Sequence, residues 1–570
     1  MHVLWRWKFG LVREPFFGVR RNIAVDGPCH PDMLSLLLRD RCPTLLRVQV
    51  GRMSNTTEQG VWNSARLRGD MGAYNQSDHA PTWFSGLTPP PPPRTPLNYD
   101  LDVDVCVIGG GLAGLTVARE VARRGWSVVL LEARRIAWNA SGRNGGFVLP
   151  GYSAQIEKVV ERIGVPATRA LWELSLSGVQ YVRDAIAEIG DIGIIEGKGW
   201  LDVFKRPDPD GAMARGGLFE QQMGIAVEIW PMERVRDALR TSRYFEAIYF
   251  PGAFQINPLA YALGLAGAAE RAGVRIFEET RAVAVDPAGV RKRIETSRGR
   301  VRAGHVVLAG NVHLGSVAQR LADTLVPITA FTGVTQSLGE RLAQALTFHG
   351  AVSDSRYADY HYRIVGGDRL LWTGSASVGL RSKWTRGRFE RALRATYPQL
   401  APVQFEHFWP AEMGFAVHRM PQIGEAQPGV WLASAFGGQG LNTSAMAGDL
   451  IARAIVEGDD TWRRFLPFEL VWAGGRVGRT IARAMGWWRR QGEAATALMV
   501  RQRQELRRKR TERKRNAGLA KVAPGADYTQ AASKRTLGLL AASEHDRPIG
   551  APEAMPSAGL DTASGPPASE

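Results

Sequence analysis

Residues 104–132, DVCVIGGGLAGLTVAREVARRGWSVVLLE, leave few folds open to this chain. The stretch begins with an apolar run, 105–108, too brief for a helix and rich in β-branched residues, which predicts a buried parallel strand. Gly109, Gly111 and Gly114 then form G-x-G-x-x-G. The first glycine permits a tight turn, the second lets a pyrophosphate approach the backbone, and the third lets the next helix pack on the strand. The pattern of 112–124 predicts that helix, with Leu115, Val117, Ala118, Val121 and Ala122 on its apolar side and Gly125 as its stop. A second strand, 128–131, ends at Glu132, 18 residues beyond Gly114, where a carboxylate accepts hydrogen bonds from the ribose hydroxyls of an adenine dinucleotide. A glycine-rich turn alone is weak evidence. Strand, helix, second strand and acid in this order predict a dinucleotide-binding βαβ unit.

A chain of 570 residues has room for a large core and more than one domain. No run of 18 apolar residues occurs, and the amino terminus lacks the apolar stretch of a secretory signal. Arg20-Arg21 makes a poor twin-arginine signal. Cys29, Cys42 and Cys106 fit neither a disulfide framework nor a thiolate metal site, so a reducing cytoplasm is the expected compartment and no metal is expected. The net charge of +17 is uneven: residues 471–521 hold 15 Lys plus Arg against 3 Glu, or 15 − 3 = +12, so the excess describes an appendage.

Residues 1–98 read as a poorly structured leader and a proline-rich linker, Pro89 to Pro93. Met53 is a second conceivable start, and a mature chain beginning at Met1 would count against an over-extended reading of the gene. The loop 133–146, rich in Gly, Ser and Asn, suits a bulky ligand. Helices are expected at 153–164, 166–190 and 257–272, strands at 200–204, 274–277, 281–285, 300–302 and 306–309. Alternation at 327–336 and 360–373 predicts an antiparallel sheet, its crowd of Tyr357, Tyr360, His361, Tyr362 and Arg363 either facing a substrate or belonging to an ordinary half-exposed sheet. A strand at 430–435 leads to FGGQGLNTS and a helix from Ala445 to about Glu457, a second glycine-rich helix entry suited to an anion.

GGGLAGL with Glu132, SGRNGGF at 141–147, NPLAYALGLAGAAERAGVRIFE at 257–278 and GGQGLN at 437–442 together resemble the FAD-dependent amino acid and amine oxidases, the family of D-amino acid oxidase, glycine oxidase and sarcosine oxidase. The nearest look is to its gamma-glutamylputrescine oxidase branch. The resemblance covers roughly 99–490. It implies an α/β fold: a Rossmann-like FAD-binding domain (99–195, 251–320, 409–470) interleaved with a smaller substrate domain on a mixed or antiparallel sheet (196–250, 321–408). A basic helical extension (471–521) and a disordered tail (522–570) complete the expected organisation.

Carried over by position, the resemblance implies non-covalent FAD. Gly109, Gly111, Leu112, Ala113 and Gly114 would meet its pyrophosphate, Glu132 its ribose, and Ala133, Arg134 and Val283 its adenine half. Ser141, Gly142, Arg143, Asn144, Gly145 and Gly146 would run along pyrophosphate and flavin, and Gly437, Gly438, Gln439, Gly440 and Leu441 would lie against the flavin. Met413 stands where glycine oxidases carry a carboxylate-binding arginine, which favours an amine, with any carboxylate held farther away. Gln439 stands where the amine-oxidising branch often has His; with Arg419, His418, Tyr360 and Arg363 it makes the set of catalytic or anchoring candidates. The implied reaction moves a hydride from the carbon beside a neutral amine, gives an imine, and passes electrons to oxygen or a carrier. No second G-x-G-x-x-G on a strand-turn-helix supports an NAD(P)H donor.

Residues 478–516 read as one basic helix with Trp487 and Trp488 among many Arg. Peripheral contact with an anionic membrane face, nucleic-acid binding and a solvated charge run packed on the enzyme body remain open, with no nucleic-acid partner expected overall. The alternative functional reading is a flavoprotein that works mainly through this helix at a membrane or partner, with a quinone or other carrier as acceptor.

Overall fold

A computed structural model describes residues 79, 81–190, 193–354, 360–376 and 382–475. The leader 1–70, the basic helix 478–516, the tail 522–570 and Tyr357 lie outside the described residues.

Two sheets make the architecture. In the first, Leu101–Ile108 pairs in parallel with Val128–Leu131 on one side and Arg300–Leu308 on the other. Arg275–Phe277 and Val430–Ser434 extend it in parallel, and Gln422–Gln427 closes one edge antiparallel. Along the central strand, Val105 and Val107 enter the core shared with the helices, whereas Cys106 and Ile108 enter the core of the opposite face. Side chains alternate across a strand, so a strand covered on both faces is apolar throughout. Cys106 is one such residue, fully buried, its thiol pushed up by desolvation and so inert.

Leu112–Arg123, Pro258–Arg271, Gly440–Glu457 and Ile156–Ile189 pack together over one face of this sheet. Pro258–Arg271 starts as expected, the Asn257 side chain accepting from the N–H groups of Leu259 and Ala260. The two helices expected on either side of Gly164 are present within Ile156–Ile189, separated where Gly164 takes the non-helical φ 78°, ψ 167° just before Pro166. Two expectations need correction. The two strands expected between 300 and 309 are one, Arg300–Leu308. The last helix begins at Gly440 and not Ala445, because burial of Leu441, Asn442, Thr443 and Ser444 overrides their weak helix propensity.

The second sheet runs in the order Phe405–Phe415, Val326–Thr335, Arg369–Ala376, His361–Val365, Ala351–Ser353, Ile195–Val203, Ala247–Ile256, Phe147–Val148. All its pairings are antiparallel except that of Ala351–Ser353 with Ile195–Val203. The domain boundaries drawn at 250/251 and 408/409 therefore cut through Ala247–Ile256 and Phe405–Phe415, which belong whole to this sheet. Continuous pairing of Phe405–Phe415 with Val326–Thr335 holds it there to its last residue.

The proline-rich segment is pinned to the body. Arg94 donates through its backbone to Glu278 (2.8 Å) and through its guanidinium to Glu270 (2.6 Å), and Arg135 donates to the Pro91 carbonyl (2.5 Å). Among the described residues no helix is long and apolar enough to cross a membrane.

Candidate active site

A cavity of about 540 Å³ opens at the carboxyl ends of the parallel strands, where Ile108, Leu131 and Ala309 line it. Ala330, Thr332, Thr373 and Ala411 of the second sheet form the facing wall. Ligands of open α/β sheets bind at this edge, because the helix amino termini gather there.

The first glycine turn is shaped by the protein itself. Gly109 has φ 116°, and a Cβ at Gly114 would lie 2.0 Å from the Gly109 carbonyl oxygen. Gly111 is the N-cap of Leu112–Arg123, whose first-turn N–H groups lack intrahelical partners; that of Leu112 donates to Ser141 Oγ (3.0 Å). Glu132 accepts from the Gly110 N–H (2.6 Å) and the Arg134 N–H (2.8 Å). Burial raises its carboxyl pKa, and those two bonds oppose the rise. Glu278, only 1% exposed, accepts from Arg135 Nε and the Ile136 N–H and so fixes the start of the loop that follows.

Within that loop Asn144 donates to the Ala140 and Ser141 carbonyls (3.0 Å each) and accepts from the Gly146 N–H (2.8 Å), folding the turn on itself. Arg143 is 6% exposed and has no carboxylate partner among the described residues; its Nη2 is buried without a hydrogen bond. Desolvation, then the nearby Arg134 guanidinium, pushes it down to about 10. A buried cation in this state calls for an anion. At the far side of the cavity Gly437 to Leu441 precede and open the helix Gly440–Glu457. A Cβ at Gly438 would meet nothing within 4 Å, and Gly438 is not at positive φ, so neither packing nor backbone requires glycine there. That leaves open space on the cavity side of this turn. Two helix amino termini, a buried unpaired arginine and an open glycine shelf on one cavity fit an anionic dinucleotide.

Of the residues named for the cofactor, Gly109, Gly111, Leu112, Ala113, Glu132, Ala133, Arg134, Ser141, Arg143, Asn144, Gly145, Val283, Gly437, Gly438, Gln439, Gly440 and Leu441 line this cavity. Gly114, Gly142 and Gly146 stand behind it: a Cβ on Gly146 would lie 1.9 Å from the Ile256 carbonyl oxygen, and one on Gly142 2.5 Å from that of Ala137.

Among the catalytic candidates, Gln439 and Arg419 line the cavity, and Gln439 Oε1 is buried without a partner. The other three are not brought there. His418 accepts from the Met420 N–H at Nδ1 (3.1 Å) and donates from Nε2 to the Glu469 carbonyl (3.2 Å), a neutral tautomer held down to about 4 by burial. Tyr360 packs among Trp372 and Phe389. Arg363, 1% exposed, pairs with Glu196 and donates to the Gly145 (3.0 Å) and Ile256 (2.8 Å) carbonyls, bracing the cofactor loop from behind.

His361, one of the crowd on the expected antiparallel sheet, lines the cavity one strand position before the buried Tyr362. Trp200 Nε1 donates to Ser353 Oγ (2.7 Å), and Ser353 Oγ shares a hydrogen bond with His361 Nδ1 (2.6 Å). His313 lies just past Arg300–Leu308 at the ligand edge, the place where it could have been found. It accepts from Asn139 Nδ2 (2.7 Å), which fits an imidazole held down to about 4 by desolvation and by Arg134 and Arg281. Trp172, Asp202, Arg215 and Phe219 form a further wall that carried no signal in the linear pattern.

A family model described as DAO, FAD dependent oxidoreductase, matches residues 104–454. Gamma-glutamylputrescine oxidoreductase of Escherichia coli (strain K12) is 30% identical over 438 residues, covering 72% of this chain and 97% of that protein. Glycine oxidase of Geobacillus kaustophilus (strain HTA426) is 24% identical over 390 residues, covering 66% and 98%. The crystal structure of glycine oxidase from Geobacillus kaustophilus superposes with a TM-score of 0.54 at 19% identity, over 65% of this chain and 99% of that one, and so shares the fold.

Proposed function

The chain belongs to the DAO family of FAD-dependent oxidoreductases, and from that premise we propose that it oxidises an amine of the gamma-glutamylputrescine kind to an imine, with oxygen as the electron acceptor. The chemistry that FAD supplies when bound is acceptance of a hydride from the carbon beside the neutral amine, with the electrons passing on to oxygen as hydrogen peroxide.

The protein's share is holding and orienting. Leu112–Arg123 with Arg143 would hold the pyrophosphate of FAD, and Glu132 would accept from its ribose. The amino terminus of Gly440–Glu457 would stabilise negative charge on the flavin. On the facing wall Ser353, which accepts from Trp200, is hydrogen-bonded to His361 and fixes the orientation of the imidazole. The observation that carries the amine reading is Met413, which lines the cavity where a cation would be needed to hold a carboxylate on the reacting carbon. A carboxylate there would be desolvated beside a thioether without compensation.

The test is an anaerobic absorbance titration of the FAD-loaded protein with gamma-glutamylputrescine, putrescine and glycine. Bleaching by gamma-glutamylputrescine, recovery on admitting oxygen and one peroxide per turnover are expected. Bleaching by glycine alone would reverse the substrate reading, and recovery only with a quinone would reverse the acceptor.

A further inference from the structure

We infer that Asp202 and Arg215 form a subsite for the charged head of the substrate, reading an α-ammonium and an α-carboxylate that lie far from the carbon being oxidised. The inference rests on the amine reading above. Gamma-glutamylputrescine is an amide formed through the side-chain carboxyl of glutamate, so the α-amino and α-carboxyl groups at its far end stay free and oppositely charged.

Asp202 lies near the end of Ile195–Val203, and Arg215 lies in the last turn of Pro209–Gly217, a helix capped by Asp208. Their side chains pair at 3.1 Å, and both line the cavity. The surroundings are apolar. Trp200 stacks on Phe250 (ring centroids 4.5 Å apart), Phe250 meets Phe219 edge-on (5.2 Å), and Phe219 meets Trp172 (5.3 Å). Arg215 lies over Phe219 at 5.9 Å.

An ion pair inside such a wall is a poor stabilising device, because desolvating two charges costs about what their attraction returns and an apolar pair of equal size does as well. A recognition role accounts for it. Trp172 Nε1 is buried without a hydrogen-bond partner, and Arg215, whose Nε also faces Glu157 at 3.6 Å, lies over the same ring, Phe219. An unpartnered indole N–H beside a guanidinium favours a carboxylate ligand. Asp202, 7% exposed, supplies the complementary negative charge for an ammonium. Without substrate Arg215 sits between Asp202 and Glu157, and a zwitterionic head exchanges partners with the Asp202–Arg215 pair without leaving either charge alone. The carboxylate reader absent at Met413 is thus found on another element, with the aromatic box beside it suited to the methylene chain.

Four amides of putrescine separate the charges: gamma-glutamyl (both), glutaryl (carboxylate only), 4-aminobutyryl (ammonium only) and butyryl (neither). The wild-type protein should lose about 10-fold or more in kcat/KM for each charge removed, the size expected for a charge-assisted hydrogen bond, mainly through KM. Arg215→Gln should abolish the preference for gamma-glutamyl over 4-aminobutyryl, and Asp202→Asn the preference over glutaryl, with the butyryl amide losing least in each. FAD content reports folding. Should a single variant fail to fold, D202N/R215Q removes both charges together, and the four amides should then be turned over with like efficiency. Equal efficiency of butyryl and gamma-glutamyl amides in the wild type, or an equal loss on all four amides in the variants, would overturn the subsite while the amine reading stands. If none of the four reduces the flavin, the substrate reading falls and the subsite with it.

Discussion

Replacing Arg143 by Met should move two quantities in opposite directions. In the protein without cofactor the guanidinium is 6% exposed, unpaired with any carboxylate among the described residues, and pushed from the ordinary arginine value to about 10. That fall corresponds to about 3 kcal/mol of desolvation carried by the charged form, at roughly 1.4 kcal/mol per tenfold change in proton affinity. Its position over Trp138, 5.0 Å from the ring, returns about 0.5–1 kcal/mol. The net burden is therefore about 2 kcal/mol, and a methionine of similar length removes it. With FAD bound, a phosphate oxygen next to the guanidinium turns the same burden into a charge-assisted contact of about 1.5–3 kcal/mol. Arg143→Met should raise the thermal midpoint of the apoprotein by calorimetry, yet weaken FAD by about 10- to 100-fold in a fluorescence-quenching titration. A lower apoprotein midpoint with unchanged FAD affinity would refute the reasoning and reduce Arg143 to a packing residue. The Trp409 indole bond to the Arg143 carbonyl (2.9 Å) survives the substitution, so the loop keeps its backbone anchor.

Glu132→Gln should weaken FAD by about 10-fold or more, since a carboxylate accepting from hydroxyls and from the Gly110 N–H is worth about 1–3 kcal/mol more than a neutral amide; equilibrium dialysis against FAD measures it, and unchanged retention would count against a ribose role. Gly114→Ala should destabilise the whole fold, its Cβ falling 2.0 Å from the Gly109 carbonyl oxygen, whereas Gly438→Leu should yield a stable protein that purifies colourless; chemical denaturation and the flavin spectrum distinguish the two. His313 is held down to about 4, while an unfolded histidine takes its proton near the ordinary value, about 6.5. The stability it contributes is complete above about pH 6.5 and is lost as pH falls through about 4, so His313→Asn should flatten that part of the acid unfolding curve, and an unaltered curve would show that the imidazole is protonated in the fold.

The cofactor side of the molecule was legible because its signals are local. The strand 101–108, its glycines, the helix and Glu132 fall within about thirty residues, each with a backbone or hydrogen-bonding reason to be what it is. The substrate side was not. Asp202 sits in an alternating strand and Arg215 in a short helix rich in glycine, and in the sequence each resembles a solvent-facing charge. Only the closing of the second sheet over the cavity turns them inward. The crowd around Tyr360 also divides only in three dimensions: His361 faces the cavity, Tyr362 the aromatic core, and Arg363 reaches past the sheet to Gly145. The proline-rich segment resembled a free linker because its anchors, Glu270, Glu278 and Thr280, are distant in the chain.

Glycines at the two helix entries divide by cause, and the division bears on what the cavity is for. At Gly109 and Gly114 an added Cβ would meet the protein's own backbone at 2.8 and 2.0 Å, so the fold alone requires glycine and a ligand is not needed to explain them. At Gly440 the nearest atom would be Phe436 Cβ at 3.8 Å, and at Gly438 there would be none within 4 Å. Gly437, at φ 60° with Ser153 and Phe415 within 2.7 Å of an added Cβ, is again required by the fold, and the Gly438 N–H donates to Ser153 Oγ (2.8 Å). Glycine at Gly440, in the helix's first turn, costs stability relative to alanine and leaves room beside the cavity for a planar group. The second turn thus adds an argument for a bound flavin that the first, the more conspicuous in the sequence, does not supply.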